Sequence, residues 1–208
     1  MKQGAIASVM MLAVMGVGAQ PAAAEEVPEE AFRAAQRIAA RTHTAADLDL
    51  VKGYPELAAG IPDPGSDDES EVTWTAVELS SAEVFSGSRA CNYWGTYKRM
   101  VGERTLKSFP LGTTIYTYRV DASWCQRGGK VYRILGGVDS LKRSSSVVNW
   151  GKSVVNVRQL KGEASGLVWR QREITLCVVK YGCYATTHPQ LKLYFNGNGA
   201  RKIYGTSR

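Results

Sequence analysis

Four cysteines constrain this chain more than any other feature. Cys91, Cys125, Cys177 and Cys183 all fall after residue 90, and in an oxidising compartment such residues persist as cross-links. Four cysteines allow three connectivities, of which the spacing favours one. Leu176-Cys177-Val178-Val179-Lys180-Tyr181-Gly182-Cys183 reads as two strand ends about a turn, which sets Cys177 opposite Cys183 and leaves Cys91 to pair with Cys125. A zinc site built from the same thiolates is the competing reading. It is disfavoured because the chain has no Cys-x-x-Cys pair and exported thiols oxidise.

The N-terminus supports export. Met1-Lys2-Gln3 carries one positive charge, and Ala5 to Ala19 is apolar but too short to cross a bilayer. Gln20-Pro21-Ala22-Ala23-Ala24 then supplies small residues before Glu25-Glu26. The expectation is a signal peptide over residues 1–24, cleaved after Ala24, with no transmembrane segment in the mature chain and a secreted or envelope-associated product. An N-terminal membrane anchor is the disfavoured alternative. No cysteine follows the apolar run, so lipid attachment there has no acceptor.

Charge divides the rest. The net charge of +7 conceals an acidic arm and linker at residues 25–70, with eleven acids against four bases. Residues 71–208 form a basic part with eight acids against twenty-one bases. An asymmetry of this size concerns partners rather than fold. In the arm, Pro28-Glu29-Glu30 suits a helix start, and Glu29 and Arg33 stand at i, i+4 spacing. Phe32 and Ile38 are its only large apolar residues, so the helix is expected to dock weakly or not at all. Gly60 to Ser70 is a linker by composition. The arm is either a mask over the basic domain or a solvated spacer, and the spacer is favoured.

From Glu71 onward the hydrophobic period shifts toward two, and no later segment shows helical periodicity. Val72 to Val77, Thr113 to Cys125, Val131 to Leu135, Val147 to Trp150, Val154 to Val157, Leu167 to Cys177, Gln190 to Phe195 and Ala200 to Tyr204 read as strands. Gln126-Arg127-Gly128-Gly129-Lys130 and Asn196-Gly197-Asn198-Gly199 mark hairpin turns. The expected fold is all-β: an antiparallel β-sandwich or small barrel of seven to nine strands with two disulfides, preceded by a partly helical or disordered N-terminal arm.

Trp124-Cys125-Gln126-Arg127-Gly128 and the Cys177 to Cys183 element, with Pro189 and the Leu191 to Gly199 strand and turn, resemble a group of small secreted actinobacterial proteins. That group shares a Trp-Cys-x-x-Gly element, a Cys-x5-Cys element with glycine before the second cysteine, and a final hairpin. The resemblance covers about half of the chain. It implies export and two cystines and names no activity, because such motifs fix a scaffold rather than a chemistry.

Catalytic constellations are sparse. His43 lies in the arm and His188 in the β domain, and no Gly-x-Ser-x-Gly elbow accompanies either. Asp121 with Glu173 is the carboxylate pair a glycosidase would need. A secreted ribonuclease would draw its base, acid and phosphate-binding cation from Glu173, His188 and Arg170 or Arg172. Exposed strand residues in cross-strand ion pairs are the blander reading of all of them. No calcium loop, His-Glu-x-x-His helix or glycine-rich phosphate loop is present, so no metal or cofactor is expected.

The remaining pattern is cationic and aromatic. Tyr93, Trp94, Tyr97, Lys98 and Arg99 follow Cys91, and Trp169 and Arg170 repeat the mixture. Such sets suit stacking on sugars or bases and contact with phosphates, although tryptophans in small secreted domains also serve the core. The expected function is a secreted, non-enzymatic binding or structural module. Its partner would be an anionic wall polymer, an acidic polysaccharide or a membrane surface, with nucleic acid left open. A small secreted hydrolase of polyanions, nuclease ahead of glycosidase, is the alternative, and a secreted inhibitor or toxin-like protein is the third.

Overall fold

A computed structural model describes residues 27–63, 72–93, 95–162, 164–178, 181–197 and 201–206. The expected signal peptide, most of the linker, and Trp94 lie outside the described residues. The chain opens with α1 (Glu29–Ala39), α2 (Ala45–Lys52) and α3 (Pro55–Ala58). Then come β1 (Val72–Ala76), α4 (Ser81–Ala90), β2 (Thr96–Lys107), β3 (Thr114–Arg127), β4 (Lys130–Ser144), β5 (Val148–Lys161), β6 (Ser165–Val178), β7 (Gly182–Thr187), β8 (Gln190–Asn196) and β9 (Arg201–Thr206).

The strands form two antiparallel sheets. The first has the order β1-β2-β3-β4 and the second β5-β6-β8-β9, with β7 on β6. β6 divides one edge between two partners: Ser165 to Gln171 pair with β8, and Ile174 to Val178 pair with β7. The sheets pack face to face through the period-two alternation of their strands. Met100, Leu106, Tyr116, Tyr118, Val120 and Trp124 come from one sheet, and Val168, Ile174, Leu176, Leu191, Leu193 and Phe195 from the other. Trp124 stacks on Phe195 at 4.1 Å between centroids. Gly166 makes that stack possible, since a Cβ there would lie 2.5 Å from the Phe195 ring. Both cystines, Cys91–Cys125 and Cys177–Cys183, form as the spacing favoured. All four thiols are therefore committed to bridges, and the zinc reading falls.

Three expectations need correction. The first is the absence of helix after Ser70, because α4 is helical. It lacks an apolar stripe, and Val84 and Phe85 are exposed. A capping box starts it instead: the Ser80 side chain accepts from the Glu83 N–H, and the Glu83 carboxylate accepts from the Ser80 N–H. Gly87 then lets it lie on Tyr97, whose ring stands 2.2 Å from where a Cβ would be. The second is β2, a twelve-residue strand absent from the sequence reading. Its inward positions include Gly102 and the buried Arg104, which break the apolar alternation.

The third concerns the arm. Ala31, Ala34, Ala35 and Ile38 of α1 are fully buried, and Phe32 packs on Tyr181 and Tyr184 beside β7. Alanine offers little area to bury, yet it brings the helix backbone close, so larger partners fill the contact. Val51, Leu57, Ala58 and Ile61 join the same core. The Ser108 hydroxyl donates to the Ala58 carbonyl at 2.6 Å, and Pro62 bridges to Ser108. The arm is thus built onto one end of the β domain. Its i, i+4 pair Glu29–Arg33 forms, at 2.5 Å, and Arg37 reaches across to Asp47 of α2. No helix among the described residues is long and apolar enough to cross a membrane.

Candidate functional site

Strand geometry sorts the candidate residues by face. Along β6, Val168, Arg170, Arg172, Ile174 and Leu176 point between the sheets, while Trp169, Gln171 and Glu173 point outward. Trp169 and Arg170, neighbours in sequence, therefore serve opposite sides.

The inward side holds a polar cluster. Arg172 donates to Asp139 through Nε at 2.8 Å and Nη2 at 3.1 Å, and to the Gly151 carbonyl through Nη1 at 3.1 Å. Its guanidinium lies 4.4 Å from the Trp150 ring centroid. The Tyr118 hydroxyl donates to the same carboxylate at 3.2 Å. The hydrogen-bonded Asp139 carboxylate raises Arg172 above its usual value. Burial lowers Arg170, which donates to the Gly137 carbonyl. Burial also pushes Tyr118 well up. These groups hold the sheets together, and of their side chains only Trp150 is substantially exposed.

His188 and Glu173 do meet on the outer face, Nε2 to Oε2 at 3.9 Å, with Lys152 reaching Glu173 at 3.7 Å. Arg172 is not brought to them, being tied to Asp139 on the other side of β6. The set from β2 is also dispersed. Arg99 is held by Asp121 and Glu83, at 2.5 and 2.7 Å, and its hydrogen bond to Asp121 raises it further. Tyr97 lies under α4, and Tyr93 is exposed. Asp121 bonds Arg99 and Arg119 on the first sheet, whereas Glu173 belongs to the second.

What the outer face of the second sheet does bring together is an ordered set centred on β8 and β9. Register places Lys192 opposite Tyr204 and Tyr194 opposite Lys202. Directly paired residues project to the same side, and the next such pair lies two residues along. The result is a square with lysines on one diagonal and tyrosines on the other. Trp169 extends it, because it pairs with Lys192 across β6 and β8. The Lys192 ammonium lies 4.3 Å from the Trp169 ring centroid, and the Lys202 ammonium lies 4.8 Å from that of Tyr204. Tyr194 meets Tyr204 edge to face at 5.7 Å.

The surrounding polar groups fix these rings. Trp169 Nε1 donates to Gln190 Oε1 at 3.0 Å, and the Gln190 amide donates in turn to the Thr206 hydroxyl. The Tyr204 hydroxyl, hydrogen-bonded to Lys202, raises that lysine above its usual value. Lys192, Tyr194, Lys202 and Tyr204 line a shallow cleft of about 530 Å³. The arm packs at the β7 end of the domain and leaves this cleft uncovered by its described residues.

Among the described residues of the expected binding set, only Trp169 belongs to this face; Lys192, Tyr194, Lys202 and Tyr204 were missed. Their trace in the sequence is a repeated Lys-x-Tyr, at 192–194 and 202–204, on the paired strands β8 and β9. No protein-family model, curated protein or solved structure matches the chain.

Proposed function

We propose that this protein is a secreted, non-enzymatic binding module that holds an anionic polysaccharide or wall polymer on the outer face of its second sheet. The Lys192–Tyr204 and Tyr194–Lys202 square carries the reading. Two ammonium groups on one diagonal can converge on a carboxylate or phosphate, while the tyrosines offer ring faces to sugars and hydroxyls to their oxygens. The rings are positioned in advance by Gln190 and by each other, which lowers the ordering cost of binding. Glu173, the acid of the β6 outer face, stands at the far end with Lys152 and His188, so the cleft itself has no carboxylate among its lining residues.

The test is retention of the full secreted chain on immobilised acidic polysaccharide and on teichoic-type wall polymer as salt is raised. Lys192→Ala/Lys202→Ala should lower the slope of log affinity against log salt by about two, one counterion for each lost charge. Tyr194→Ala/Tyr204→Ala should weaken binding without changing that slope. Equal retention of both double variants and wild type would refute the assignment. The 3.9 Å approach of His188 to Glu173 sustains the hydrolase alternative. Shortening of either polymer, abolished by Glu173→Gln, would replace the binding reading with that one.

A further inference from the structure

We infer that α4 and the Cys91 turn form a docking surface for an anionic lipid bilayer, separate from the glycan-binding face. Gly87 fixes the orientation of α4, because it rests on the Tyr97 ring. At 3.6 residues per turn, Phe85 and Arg89 then stand on the side of the helix away from the sheet. Phe85 is 66% exposed and its neighbour Val84 45%. A short helix that presents its largest apolar residues to water gains nothing for folding from them.

The segment beyond the helix strengthens the inference. Asn92 and Tyr93 both adopt left-handed backbone angles, φ 53° and 56°, a conformation that disfavours a residue such as tyrosine. Tyr93 is nonetheless held there. Its N–H donates to the Ser88 carbonyl at 2.9 Å, and the Cys91–Cys125 bridge anchors the turn. The Tyr132 hydroxyl donates to the Cys91 carbonyl at 2.9 Å and Arg133 to the Ala90 carbonyl at 3.2 Å. What this network secures is a tyrosine that is 67% exposed. The turn is cross-linked, strained and directed outward.

Charge identifies the occupant. No Asp or Glu occurs in residues 84–102 or 122–138, the two stretches that build this end of the sheet. Arg89, Arg127, Lys130 and Arg133 within them are exposed. Glu83, in the first turn of α4, is paired with Arg99, so beyond it the apolar and aromatic side chains of the helix and turn project beside these cations, matching the boundary between anionic headgroups and acyl chains. A polysaccharide would gain little from Phe85 or Val84, which have no hydrogen-bonding group.

The experiment is co-sedimentation of the full secreted chain with vesicles of phosphatidylcholine alone and with phosphatidylglycerol added. Near-ultraviolet circular dichroism confirms that each variant is folded. Wild type should bind the anionic vesicles and not the neutral ones. Phe85→Asp should lower partitioning at least about tenfold, as expected for losing one buried aromatic side chain. Arg89→Gln/Arg133→Gln should weaken binding and flatten its salt dependence, while Lys192→Ala/Lys202→Ala should leave it unchanged. Three outcomes would overturn the proposal: equal binding to neutral vesicles, unaltered binding by Phe85→Asp, or Phe85-dependent self-association in place of vesicle binding. Because the lysine variant tests the other face, failure here leaves the glycan reading standing.

Discussion

The polar cluster between the sheets makes a quantitative claim about stability. Asp139, with a side chain 7% exposed, accepts two hydrogen bonds from Arg172 and one from Tyr118. Arg170 is also buried nearby, with Gly137 as its acceptor. Asp139→Asn keeps the shape but removes the charge, and its new N–H group faces donors. Breaking one half of a buried ion pair costs about 3–5 kcal/mol. The lower end applies here, about 3 kcal/mol, because Arg172 is 18% exposed and keeps its bond to Gly151. Arg172→Met should also destabilise, since it strands the carboxylate with only the Tyr118 hydroxyl. The double variant, however, removes both charges and should lose less than the two single losses together, with a coupling of about 2 kcal/mol. Urea unfolding of the four proteins measures this cycle. Additive losses, or an Asp139→Asn cost under about 1 kcal/mol, would refute the account of the cluster as a buried, mutually dependent pair.

Removing the Cys91–Cys125 bridge by paired alanine substitution should cost about 4 kcal/mol, and removing Cys177–Cys183 about 2 kcal/mol, because sequence separations of 34 and 6 close loops of very different entropy; thermal unfolding compares them. Gly166→Ala should cost about 1–3 kcal/mol, since the added methyl meets the Phe195 ring, which Trp124 blocks from behind; reversal of the effect by Phe195→Leu in the same assay would confirm the contact. Arg37, and then the Thr44 N–H, hold the Asp47 carboxyl well below its usual value. A depressed carboxyl stabilises above its unfolded value and loses that contribution as pH falls, so hydrogen-exchange protection in α1 and α2, taken relative to the intrinsic rates, should fall below about pH 4. Asp47→Asn should exchange faster at neutral pH and show a flatter acid response.

Helices were less legible than strands, for local reasons. α4 announces itself only through Ser80 and Glu83, a capping box whose four-residue pattern is easily passed over when the following residues lack a stripe. The burial of α1 was hidden because Ala31, Ala34 and Ala35 contribute closeness rather than area; the large side chains of that contact, Tyr181 and Tyr184, are supplied by residues about 150 positions away. β2 was obscured by Arg104, whose burial depends on tertiary surroundings that no window of sequence contains.

The binding face shows why clusters read along a chain mislead in a β protein. Adjacent residues on a strand point to opposite faces, so Trp169-Arg170 and Lys98-Arg99 cannot each form one surface. The informative unit is i, i+2. Lys192-x-Tyr194 and Lys202-x-Tyr204 place one lysine and one tyrosine on the same side of each strand. An antiparallel hairpin reverses one motif against the other. With Tyr194 paired to Lys202, each lysine must then face a tyrosine, and the like charges fall on a diagonal rather than directly opposite each other. The reverse order on one strand, Tyr-x-Lys, would set lysine against lysine and tyrosine against tyrosine. Exchanging Lys202 and Tyr204 therefore keeps composition, net charge and fold while abolishing the square. If the exchanged protein retained acidic polymer as well as wild type, charge alone would account for binding; if retention fell to that of Lys192→Ala/Lys202→Ala, the arrangement itself would be what recognises the ligand.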